Sequence, residues 1–135
     1  MLMEDNEIIE EVLAHLQGYI VESEETISDL DYDKKVSSSE VLRFYRITTS
    51  YAKSYLNVTE LPTITEVIDD EEVEVTDPIV LTGICMWTAG KLWQKYNVRV
   101  NNNEDDTNIL GYGDKLVIQA KELLKPYKYY KMMVY

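Results

Sequence analysis

A small bundle of about four helices is the fold this sequence predicts, with a β-hairpin or an extended acidic loop between the second and third helices. Three observations predict it. Apolar residues recur at spacings of three and four in the stretches 8–16, 41–56 and 116–124. One stretch, Pro78 to Tyr96, is apolar nearly all round in its first three turns, as a helix buried on every side must be. Between the second and third of these stretches lies TITEVIDDEEVEVT, which alternates β-branched and acidic residues around a strongly polar centre.

The elements follow in order. Asp5 or Asn6 can cap a first helix with Ile8, Ile9, Val12, Leu13 and Leu16 inside and Glu7, Glu10 and Glu11 outside; Gly18 is its stop. Residues 22–37 read as a polar loop. Ser38 or Ser39 caps the second helix, which runs to about Leu56. Val41, Tyr45, Thr48, Ala52 and Tyr55 form its inner face, and Arg43, Arg46, Ser50 and Lys53 its outer one. The hairpin turn falls near Asp69-Asp70. Asp77-Pro78 is a start signal, an acid at the cap followed by Pro at the first helical position. Gly83, Ala89 and Gly90 allow close approach to the third helix. A polar loop covers 97–110. Gly111 and Gly113 then supply a tight turn, and Asp114 caps a last helix from Lys115 to Lys125, with Leu116, Ala120, Leu123 and Leu124 inward and Pro126 after its end.

The chain has 135 residues, enough for one domain with a core. It divides into an acidic N-terminal helix and loop (1–37), a helical core (38–126) and a C-terminal tail (127–135). No secretory leader pattern is visible, and the single Cys85 cannot staple the fold. Net charge is -12, but unevenly spread. Residues 1–33 hold eleven acids and no Lys or Arg, whereas residues 115–135 hold five Lys and one Glu. Such a surface discourages non-specific nucleic-acid binding and suits head-to-tail contact between copies or with a charged partner. Tyr outnumbers Phe eleven to one, which favours interfaces.

Chemistry is poorly represented. His15 is the only histidine, which removes Ser-His, Cys-His and multi-His sites within one chain. Cys85 sits in the most apolar helix and reads as a core residue. The acidic runs Asp69, Asp70, Glu71, Glu72, Glu74 and Glu104, Asp105, Asp106 lack the spacing of a calcium loop. No enzyme, cofactor or metal is expected. The string Gly-Tyr-Gly-Asp at 111–114 matches the filter of potassium channels, but no stretch approaches the about 20 apolar residues of a membrane span. The tail KPYKYYKMMVY interleaves Lys with aromatic and apolar residues. Stacking on single-stranded nucleic acid is one reading of it, and docking on a protein is the favoured one.

Several stretches together resemble the small helical head-tail connector (adaptor) proteins of tailed bacteriophages and related archaeal viruses. These are an amphipathic helix ending YAKSYL, a Pro-started apolar helix ending GKLWQKYN, and a short helix closing on ELLKPYK, with Leu123-Leu124-Lys125-Pro126-Tyr127 the sharpest piece. The likeness covers about residues 38–128. The run Tyr96-Asn97-Val98-Arg99 departs from the family's Asn-Arg, and the acidic first 37 residues are longer than expected. The resemblance implies a virion protein of the neck, assembled in the host cytoplasm as a ring of about twelve copies. It would dock on the portal, extend the DNA channel without sequence-specific binding, and carry a stopper or tail-completion protein, with no membrane contact. Tyr127, Tyr129, Tyr130, Met132, Met133 and Tyr135 are then the portal-docking candidates, and the acids at 69–74 and 104–106 the channel-facing ones. An acidic regulatory or DNA-mimic protein acting on a host factor is the competing expectation, and a metal-dependent enzyme using the acidic loops a third.

Overall fold

The computed structural model describes residues 5–16, 21–22, 35–96 and 111–128. In chain order these form α1 (Asp5–His15), β1 (Val21–Glu22), β2 (Lys35–Val36), α2 (Ser38–Leu56), β3 (Thr63–Ile68), β4 (Glu71–Thr76), α3 (Pro78–Tyr96) and α4 (Tyr112–Leu124). A 3-10 turn, Lys125–Tyr127, follows α4. The described residues are therefore mainly helical, four helices with one antiparallel hairpin between the second and third.

α3 is the axis. Val80, Ile84, Cys85, Ala89 and Leu92 are fully buried along it, and α1, α2 and α4 all pack against it. Its start is fixed by Asp77, whose Oδ1 accepts the Ile79 amide at 2.9 Å. Thr88 is polar yet fully buried. Its hydroxyl donates to the Ile84 carbonyl at 2.7 Å, so no polar atom is stranded there. Among the described residues, no helix is long and apolar enough to cross a membrane.

The cap of α2 falls one residue before the expected one, at Ser37. Ser37 has an extended backbone, and its side chain accepts from the Glu40 amide; Ser37-x-x-Glu40 has the spacing of a capping box. Asn57 ends the helix at φ 60°, turning its N–H back to the carbonyls of Lys53 and Ser54. Val41, Tyr45, Thr48, Ala52 and Leu56 are the buried face. Tyr55, expected with them, is only half-buried.

Two expectations need correction. Residues 22–37 are not wholly loop, because Val21–Glu22 and Lys35–Val36 pair as a two-residue parallel ladder. The last helix starts at Tyr112 with Gly111 as its cap, so Asp114 lies inside the first turn and caps nothing. Gly113 is accordingly a buried helical residue and not part of a turn. The reason is close packing. α4 crosses α3 where Gly113 meets Gly90, and each glycine sits against the other's carbonyl oxygen. A Cβ built on Gly90 would lie 2.7 Å from the Gly113 oxygen. Further along, Gly83 of α3 faces Leu124 near the end of α4, so the two helices run antiparallel.

The hairpin is as the alternation predicted. β3 and β4 pair antiparallel in six rows from Thr63↔Thr76 to Ile68↔Glu71. Asp69 and Asp70 form the two-residue turn, both at positive φ, as a type I′ connection demands.

Candidate functional site

A cleft of about 440 Å³ between α1, α2 and the base of the hairpin is lined by Leu42, Tyr45, Arg46, Lys53 and Leu81 among others, with neither His nor Cys. No cluster of three His, Cys, Asp or Glu able to hold a metal occurs among the described residues. What the structure does offer is two exposed surfaces of opposite charge.

The first is the β3–β4 ribbon, whose strands pack chiefly on each other and only lightly on the helices. Register divides its side chains into two faces. One carries Ile64, Ile68, Val73 and Val75 with Glu66 and Glu71; the other carries Thr63, Thr65, Val67, Glu72, Glu74 and Thr76. Val75 is buried at the base, but Ile64, Ile68 and Val73 stay exposed, and Val67 is 70% exposed. Between residues 63 and 76 stand six acids and no base. The predicted acids Asp69, Asp70, Glu71, Glu72 and Glu74 are thus together on one exposed ribbon. Glu104, Asp105 and Asp106 lie outside the described residues.

The second surface is made by three helices. Phe44, Ile47, Tyr51 and Tyr55 form a stripe on the flank of α2, spaced by three or four residues. Trp87 of α3 lies under its end, 6.5 Å from the Tyr51 ring and 6.1 Å edge-on from Tyr55. Two lysines sit over the rings. Lys121 Nζ is 5.3 Å from the Trp87 centroid, and Lys128 Nζ is 4.8 Å from that of Tyr55. A groove of about 220 Å³ continues the surface between Phe44, Ile47, Tyr51 and Lys91. Ile47 and Tyr51 are 42% and 50% exposed. Of the acids nearby, Glu40 pairs with Lys95 and Asp114 accepts from the Gln94 amide, while Glu122 is exposed beside Lys121 on α4. Sequence reasoning missed this surface because its parts lie between residues 44 and 128; the aromatic stripe of α2 was the one readable signal.

Among the docking-tail candidates, Tyr127 belongs to the folded body. It is half-buried against the core, and burial first, then Asp77, pushes its phenol pKa up. A truncation intended to spare the fold therefore starts at 129 and not at 127. Tyr129, Tyr130, Met132, Met133 and Tyr135 lie outside the described residues. Tyr112, the tyrosine of the filter-like string, donates its hydroxyl to the His15 carbonyl at 2.7 Å. It thereby satisfies one of the carbonyls that the end of α1 leaves open.

His15 Nε2 is buried with no hydrogen-bond partner among the described residues, and burial lowers its pKa against the opposing pull of Glu11. Burial also raises Cys85 and Tyr45 to about 12. Both groups are then neutral in the fold at pH values where the unfolded chain ionises. The stability this neutrality provides is complete below about pH 9 and declines as pH rises toward 12. The denaturation midpoint should fall between neutral pH and about pH 10.5, with Cys85→Ala delaying the onset. Native Cys85 should also resist thiol reagents until the chain unfolds. Rapid labelling of the native protein would contradict the burial argument.

Comparison of the chain with family profiles, with curated protein sequences and with solved structures returns no match.

Proposed function

We propose that this protein is a structural component of a viral neck, a ring-forming connector that docks on a portal, extends the DNA channel and presents a platform for the next tail component. The reading starts from the family resemblance of residues 38–128. The observation that carries it further is the acidic ribbon standing off a helical body. A ring of identical subunits needs two different complementary surfaces on each copy. The ribbon and the aromatic-lysine surface are two such surfaces. A DNA conduit must also avoid gripping phosphates, and Asp69, Asp70, Glu72 and Glu74 are exposed carboxylates suited to repel them. Residues 129–135, with three tyrosines and two methionines, remain the candidate for portal docking.

Mass in solution tests this, measured by sedimentation and native mass spectrometry, alone and with the portal protein of the same virus. A free ring of about twelve copies, or a monomer that becomes a ring on the portal, is the expected result. A stable dimer indifferent to the portal would overturn it and direct attention to a basic host protein as partner.

A further inference from the structure

The exposed large apolar residues are not scattered. Of the eight among the described residues, Ile64, Val67, Ile68 and Val73 lie on the ribbon, and Ile47 and Tyr51 on the aromatic-lysine surface. Ile118 flanks that surface, three residues before Lys121 on α4. Only Ile79 falls outside both regions. Apolar patches of this kind mark contact sites when polar residues rim them. Their charges are opposite. The ribbon holds six acids and no base, whereas the other surface carries Lys91, Lys121 and Lys128, with the acid Glu122 beside Lys121 on α4. A two-stranded ribbon is also marginal alone in water, and gains when its apolar face is covered.

The geometry points to one occupant for the ribbon, a second copy of this chain. The Ile64–Ile68–Val73 face of one copy lies on the Tyr51–Trp87 surface of the next. Glu66 and Glu71, on that same ribbon face, meet Lys121 and Lys128. The contact is heterologous, since each copy gives a ribbon and receives one, so it propagates until it closes. The apolar residues supply the area, and the charges fix register and exclude the opposite orientation. Glu72 and Glu74, on the other face of the ribbon, stay outside the contact. This is compatible with the channel-facing role proposed above, and the contact rests on that ring reading.

Two reversal variants test it, Glu66→Lys with Glu71→Lys, and Lys121→Glu with Lys128→Glu. Each is checked for native circular dichroism and then sized with and without the portal protein. Each variant alone should remain monomeric under conditions where the wild type forms rings. An equimolar mixture should assemble, because alternating copies place every reversed ribbon on a reversed surface. Reversal variants that assemble alone as the wild type does would overturn the contact while leaving the ring intact. Folded variants whose mixture stays monomeric would overturn it equally. A wild-type chain that forms no ring alone or on the portal would instead remove the ring reading first, and this inference with it.

Discussion

Gly90→Ala should destabilise the protein by about 3 kcal/mol, near the upper end for an overpacked site. The new methyl would lie 2.7 Å from the Gly113 carbonyl oxygen and 2.8 Å from Val117 Cγ2. The side chain of Val117 can be shortened, but the carbonyl belongs to the backbone of the opposing helix and yields only if α4 moves away from α3. That movement spoils the packing of Leu116 and Ala120, both buried at the same interface. The helix-forming advantage of Ala over Gly returns only about 1 kcal/mol. Thermal unfolding should shift down by roughly 10 °C, and the urea midpoint should fall with its slope unchanged. Val117→Ala added to Gly90→Ala should recover little. Gly113→Ala should add less than its own cost to Gly90→Ala, since both act on one crossing. A Gly90→Ala protein that melts with the wild type would show that the two helices do not approach as closely as described.

Trp93→Ala should cost about 3–5 kcal/mol. Trp93 is 2% exposed, and the Tyr112 ring meets it edge-on at 4.6 Å. Removing the indole leaves a cavity and also frees Tyr112, the residue whose hydroxyl holds the end of α1. Two readouts should therefore move together. Global stability should fall, and amide protection in α1 should fall further than in α2. Trp93→Phe, which keeps an aromatic ring, should lose less in both. Equal loss of protection in α1 and α2 would mean that Tyr112 does not couple α1 to this part of the core.

These two sites also show what the sequence could and could not reveal. The Asp77-Pro78 start was legible because its signal is local: an N-cap acid, then a proline whose missing N–H is no loss there. The hairpin was legible because alternation has a period of two, and Asp-Asp divides it. The start of α4 was not. Gly at 111 and 113 argues for a turn on propensity alone, and only the opposing Gly90 makes Gly113 worth its place inside a helix. The β1–β2 pair covers two residues per strand, too few to carry a pattern. Of the site, the acidic ribbon could be read from one segment. The aromatic-lysine surface could not, because Tyr55, Trp87, Lys121 and Lys128 become neighbours only after three helices pack.

Asp69 and Asp70 make their turn at φ 52° and 63°, a region where any side chain except that of glycine is crowded, by about 1 kcal/mol per residue. Asn-Gly would make the same turn with less strain and without two adjacent like charges. The tip is thus not the most stable this ribbon could have. Its two adjacent carboxylates would repel any polyanion brought near the tip.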